Sequence, residues 1–488
     1  SGLLLRQRQV NECDRVESEA GRRKVFALDD RLAAWYVGWQ FPRRGFSNGA
    51  ARPMMASALV FFMLACLAPG AAGAQATIVV TGDVGAAARV AAPVGLKVDL
   101  KELSIDAAGR TRFLLREVTD ASSPAGPLIA AQFEPEAPGS TRGTLWWSMP
   151  PGGKGARRLH LEIDAKSDPT ALRTHHDQTA QSVDVAEEDA PVLRYNHGTV
   201  PPPPEIVARF EQGQEHPLYY ARGGYIHPLF GPSGEEITDD YSLNHPHHRG
   251  VFWAWPVLRY KDEVRDHWAV RVLPSQPGGA WTRPVALRRV ESGNVLAMID
   301  AESVWKWGDR EPIVREEVVI RAFRSHERSR FVDIELRLTA LVEGVSIGGR
   351  PKVGYGGFGV RSFPEFPERR IDLHVDPPGE SPRRAWFHLL GVFPVATAPA
   401  GMALLEHVTN PDYPSYPNPE GLEGIPKAYP PWRCVLPCFP GDREVALATE
   451  KPLVLKYRLW IHASTVDEER LVDVWTSYAD PPTAGIAP

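Results

Sequence analysis

The sequence predicts a mainly β protein, with a small N-terminal β-sandwich followed by a large antiparallel β-supersandwich. Three observations predict it. Short apolar runs alternate with polar residues at a period of two. The 46 prolines and 42 glycines cluster at the turns between those runs. Only Glu468 to Tyr478 has convincing helical spacing, with Leu471, Val474, Trp475 and Tyr478 on one stripe. A chain of 488 residues exceeds what one hydrophobic core usually holds, so two folded domains and an N-terminal extra are expected.

Residues 1–53 read as a non-native or disordered extension. Ala56 to Ala68 is apolar but too short to span a bilayer comfortably, and it suits the core of a signal peptide over 54–76. Small residues place cleavage near Ala74 or Ala76, and translation from Met54 or Met55 would explain the upstream stretch. The expected location is the periplasm or the exterior.

Residues 77–188 read as a small immunoglobulin-like domain. Thr77–Thr81, Leu96–Leu100, Arg112–Arg116, Thr144–Trp147 and Leu159–Ile163 are its strand candidates. It carries no titratable cluster. Polar, acidic chain from Asp164 to Asp189 reads as a linker. Over 189–482 aromatics, histidines and glycines become dense. Strands are expected at Val251–Trp255, Trp268–Val272, Val295–Ile299, Ile313–Ile320, Phe331–Leu338, Ala403–His407 and Leu453–Trp460. With almost no crossover helices, these imply an antiparallel sandwich.

Composition excludes some classes. A net charge of −5 is mild at this length, and no basic domain is present for nucleic acid. After Ala76 no apolar run reaches membrane length. Cys434 and Cys438 read as a structural pair, bonded or free; a bridge between them would need a turn, for which Pro437 is suited.

The densest chemistry lies in Thr238-Asp-Asp-Tyr-Ser-Leu-Asn-His-Pro-His-His-Arg-Gly250. On an extended backbone His245 and His247 share one face and His248 takes the other. Such imidazoles could start a metal site, joined by His197 or His227 and a carboxylate. They could equally donate protons and hydrogen bonds to a polyol. Surface-loop histidines, or a satisfied structural cluster, are the plainer alternative. Trp253 and Trp255, like Trp305 and Trp307, are spaced to share a strand face, as a sugar platform or as sandwich core. Gly354-Tyr-Gly-Gly-Phe-Gly359 matches G-x-G-x-x-G, but no βαβ unit surrounds it, so a dinucleotide site is rejected. Its glycines would let a strand bend, aiming Tyr355 and Arg361 at a site. Glu406 and His407 at a strand end, and Glu316 and Glu317 on theirs, are further acid–base candidates.

Arg222-Gly-Gly-Tyr-Ile-His-Pro-Leu229, Gly234, Thr238-Asp-Asp240, His245-Pro-His-His-Arg-Gly250 and Trp253-Ala-Trp255 resemble a secreted bacterial family labelled "PmoA family" or "methane oxygenase PmoA". Tyr355–Arg361, the Glu406–Pro411 loop and Tyr457-Arg458 fit the same pattern, which covers Pro191 to about Pro482. The label refers to a multi-helix membrane subunit, whose apolar spans this chain lacks after Ala76. The resemblance implies a fold similar to galactose mutarotases, and company with sugar-processing enzymes. It implies, in general terms, a histidine acid and a carboxylate base.

The expectation is a secreted or periplasmic protein that binds a saccharide or small ligand, with no cofactor called for. If it is an enzyme, it is a hydrolase, lyase or isomerase acting on sugar. His245, His247 and His248 would work with Glu316, Glu406 or His407. Asp239, Asp240, Asn244, Arg249, Trp253, Tyr355, Arg361, His197 and His227 would hold the substrate. The rivals are a metal-dependent, oxygenase-like enzyme and a non-catalytic glycan-binding protein.

Overall fold

Strict alternation along Phe331–Leu338 does what the pattern demands. Val332, Ile334, Leu336 and Leu338 are buried, while Asp333, Glu335 and Arg337 point the other way. The computed structural model describes residues 76–81, 90–105, 112–120, 123–151, 156–164, 170–208, 220–242, 245–270, 279–362, 370–374, 383–393, 398–417 and 434–487. The expected extension, the signal segment and Asn244 lie outside the described residues.

Among those residues the strands form four sheets, and the neighbouring strands within each pair antiparallel. The eight-stranded sheet runs Ala280–Glu291, Leu296–Trp307, Glu311–Phe323, Ser329–Ala340, Leu453–His462, Ala400–Glu406, Trp386–Gly391 and Arg370–His374. The nine-stranded sheet runs Tyr416–Pro417, Pro437–Cys438, Gly357–Arg361, Val251–Ala254, Tyr225–Leu229, Ala190–Asn196, Ser182–Glu187 and Leu172–Asp177, with Cys434–Val435 also on Gly357–Arg361. Their inner faces share one core. Tyr195, Ile226, Trp253 and Phe358 come from the nine-stranded sheet, and Trp305, Ile320, Ile334 and Tyr457 from the eight-stranded one. Each fully buried aliphatic or aromatic side chain there contributes about 1.5–3 kcal/mol. A four-stranded sheet of Glu263–Arg265, Val257–Tyr260, Ser346–Gly348 and Glu444–Ala446 flanks this sandwich.

The helix Glu468–Ala479 forms where its spacing predicts. Asp467 caps it by accepting from Arg470 N at 2.8 Å, and Leu471, Val474 and Tyr478 bury its apolar stripe against Trp386, Ala403 and Trp460. The N-terminal part is a seven-stranded sheet ordered Pro93–Asp99, Arg142–Ser148, Ser123–Pro135, Arg112–Asp120, Arg157–Asp164, Ala76–Thr81 and Thr483–Ile486. Its last strand comes from the C-terminal end, placing Ile486 opposite Ile78. Gln132 and Glu134 tie it to the sandwich, through the backbone of Val295 and Leu296 and through Arg321.

Two expectations are corrected. The stretch read as a linker contains the strands Leu172–Asp177 and Ser182–Glu187, paired through His175↔Asp184. The polar residues of Leu172–Asp177 suit the edge of the sheet, which that strand forms. Arg271 and Val272 of an expected strand lie outside the described residues, and Trp268 and Ala269 lie in a bend, not a strand. Its geometry is set by Asp266, whose carboxylate accepts from Ala269 N at 2.8 Å.

Candidate functional site

The histidine segment is not extended. His248 N donates to His245 O at 2.9 Å and His245 N donates to Ser242 O at 3.1 Å, so the chain turns around the buried Pro246. The turn brings all three imidazoles together. Ring centroids lie 4.9 Å apart for His245 and His248, 4.4 Å for His247 and His248, and 5.7 Å for His245 and His247. The alternation that separates His248 from the other two therefore does not apply.

This cluster lies on the outer face of the nine-stranded sheet, where Phe252 and Ala254 project away from the inter-sheet core. Tyr220 stacks near His247 at 5.8 Å, and Phe252 near His248 at 5.7 Å. Trp268 meets His248 at 5.4 Å and Tyr355 at 5.7 Å. His248 is fully enclosed. Burial first, then His247, His245, Arg361 and Arg222, hold its pKa well below the ordinary imidazole range. Gly250 closes the turn with φ +48°; a Cβ there would stand 2.0 Å from Ile226 O, so only glycine fits.

Arg249 supports the turn from behind. Its guanidinium pairs with Asp240, donates to Tyr225 Oη, and lies 3.5 Å over the Tyr241 ring. Asp240 also accepts from Tyr225 Oη at 3.1 Å. These side chains, expected to orient a substrate, spend their polar groups inside the protein. Arg361 is similarly placed, donating to Ser242 Oγ at 2.5 Å and lying 3.7 Å from Asp239.

A second polar group lies next to the first. Arg222 Nη2 donates to His267 O at 2.8 Å, and His267 Nε2 bonds Thr282 Oγ1 at 3.0 Å. The His267 ring lies 4.1 Å from Trp305, whose indole donates to Glu316 Oε2 at 2.7 Å. Glu316 Oε1 is buried without a hydrogen bond, and a Cβ on Gly224 would stand 3.3 Å from it. Burial raises the Glu316 carboxyl to about 7, against the opposing influence of Trp305, Trp253 and Arg222. Trp253 is thus core behind this carboxyl rather than a ligand platform, stacked on Phe358 at 6.2 Å.

Other expected members lie elsewhere. Glu406 accepts from both Ser415 N, at 2.8 Å, and Ser415 Oγ, at 2.7 Å, and so pins its loop. His407 bonds Thr409 and packs against Tyr478. His197 packs on His176 at 5.3 Å, not on the turn. His227 bonds Thr238 Oγ1 at 3.1 Å and lies 3.8 Å from Glu236. Glu317 faces the other side of its sheet, with Arg288. Cys434 and Cys438 are buried and not joined by a disulfide. Among the described residues, no three His, Cys, Asp or Glu side chains converge as metal ligands. Sequence reasoning passed over Tyr220, Arg222, His267 and Trp268; Arg222 stands in a quoted motif, and His267-Trp268 joins an imidazole to an indole.

Together these features define a β-sandwich protein with an aromatic-walled imidazole cluster on one sheet face. The chain belongs to the family of unknown function DUF6807, which it matches over residues 182–476. That span begins at the strand Ser182–Glu187 and ends within the helix Glu468–Ala479, so it takes in both facing sheets except the edge strand Leu172–Asp177. No curated protein matches the chain.

Proposed function

We propose that this chain is an exported carbohydrate-active protein, binding a saccharide at the face framed by Tyr220, Trp268 and Tyr355 and acting on it by imidazole–carboxyl acid–base chemistry. The observation that carries the reading is the gathering of His245, His247 and His248 by a turn, edged by aromatic rings. Flat aromatic faces suit the C–H face of a sugar ring, and imidazoles suit its hydroxyls and its proton transfers. His245 and His247, partly exposed, are the proton-transfer groups in this reading. Glu316 is the carboxyl, because its Oε1 is uncommitted while both Glu406 oxygens are occupied. The resemblance to the PmoA-labelled family and to mutarotase-like sandwiches supports the same substrate class, as analogy.

The test is a panel of mono- and oligosaccharides, followed by calorimetry for binding and by NMR for product. Binding with product that is lost in His247→Ala supports the proposal. Binding without product over long incubation assigns the face to glycan capture, and no binding across the panel overturns it. N-terminal sequencing of secreted protein tests export, with a mature start near Ala76 expected.

A further inference from the structure

Six arginines among the described residues are buried, and five have a carboxylate within 4 Å. Arg157 has Glu117, Arg249 has Asp240, Arg330 has Glu187, Arg361 has Asp239, and Arg458 has Asp333. Arg222 is the exception. It is 4% exposed, its Nη2 reaches only the His267 carbonyl, and its Nη1 is buried with no hydrogen bond. A buried guanidinium without an anion is costly, and folds rarely retain one without a use.

A second donor without a partner lies nearby. The guanidinium lies 5.6 Å over Phe252, whose ring is 5.0 Å from Trp268. Trp268 Nε1, a donor that cannot accept, is also buried without a partner. His248 Nδ1 and His267 Nδ1, on either side, likewise make no hydrogen bond. Arg222 Nη1 and Trp268 Nε1 are obligate donors with no acceptor inside the protein, and they call for one from outside.

We infer that Arg222 and Trp268 form an anion subsite beside the three-histidine turn, and that the ligand presents a carboxylate to it. The inference rests on the saccharide reading above and narrows the substrate to a sugar acid, a uronate or aldonate. One guanidinium balances one negative charge. A dianion such as phosphate would also meet Glu316 and Asp266, which act on Arg222 from farther away.

The experiment is calorimetry on the full chain with glucuronate, glucose, inorganic phosphate and lactate. Glucuronate is expected to bind at least tenfold tighter than glucose. Arg222→Met should abolish that advantage. Trp268→Phe keeps the ring and removes the donor, so it should weaken glucuronate at least threefold; it serves if the arginine variant does not fold. Equal affinity for glucuronate and glucose overturns the inference and leaves the saccharide reading standing. Tighter binding of phosphate, or a glucuronate preference that survives in a folded variant, also overturns it. Lactate bound as tightly as glucuronate, lost with Arg222 and with glucose not bound, upholds the anion subsite and overturns the saccharide reading.

Discussion

His247 and His248 meet edge to face with ring centroids 4.4 Å apart, although they are neighbours in the chain. Enclosure keeps His248 neutral, so it fills space and orients its neighbours, while His245 and His247 keep exposed edges. His247→Ala is expected to lower turnover on a saccharide by about 10²-fold or more, with little loss of stability. His248→Ala should instead cost about 1–3 kcal/mol, by removing packing against Phe252 and Trp268. Urea unfolding alongside rate measurements separates the two; equal destabilisation by both would contradict this division of roles.

Arg249 and Arg222 should respond oppositely to neutralisation. Arg249→Met strands Asp240 in a buried site, at a cost of about 3–5 kcal/mol. Arg222→Met strands no carboxylate, so its unfolding midpoint should stay close to that of the parent or rise. A loss for Arg222→Met as large as for Arg249→Met would show that the guanidinium is needed for folding.

Acid should weaken the fold through a second pair of histidines. His388 and His462 approach Nε2 to Nε2 at 3.0 Å in the interior, and His462 Nδ1 bonds Ser464 O at 2.8 Å. That carbonyl only accepts, so Nδ1 holds the proton and Nε2 receives one from His388. Burial, then His388, push His462 down to about 3. The unfolded chain takes up a proton near 6.5 that the native state refuses. The contribution to stability is therefore full above 6.5 and is lost as pH falls from 6.5 towards 3. His462→Gln should flatten the stability profile over that window, by up to about 1.4 kcal/mol per pH unit. Parallel profiles for parent and variant would rule the pair out as the cause.

For two buried carboxyls the sign reverses over an overlapping range. Burial raises Glu406 to about 7, from an ordinary 4.5. The unfolded chain ionises first, so this contribution is complete below 4.5 and lost as pH rises through 7. Glu316 behaves alike. Glu236 is raised to about 7 as well. Glutamine at 406 can still accept from Ser415, so Glu406→Gln should remove about a third of the carboxyl contribution between pH 4.5 and 7, read as the difference between parent and variant thermal midpoints across that range.

What the sequence made legible follows from periodicity. Phe331–Leu338 and Glu468–Tyr478 could be placed because each keeps one period over several residues, and tertiary contacts agree with it. Leu172–Asp177 could not, because His175, His176 and Asp177 at a sheet rim need no apolar partner. The histidine segment was found by its density, but its geometry was misread, since alternation holds only where the backbone is extended. Arg222, His267 and Glu316 come from three separate stretches of chain, and no local pattern announces that they meet. Arg249 shows the converse: residue type alone cannot say whether a charge faces a ligand or an internal partner.

The strand Thr483–Ile486 lies beside Ala76–Thr81, so the N-terminal sheet takes its last strand from the far end of the chain. During synthesis that edge must wait, unpaired, until Thr483–Ile486 has left the ribosome. The order of assembly is thereby set: the sandwich bearing the histidine turn can form first, and the sheet that precedes it in sequence is completed last. A ribosome halted before Thr483 would release a chain with its site region built and an open β edge at Ala76–Thr81, a ready template for aggregation.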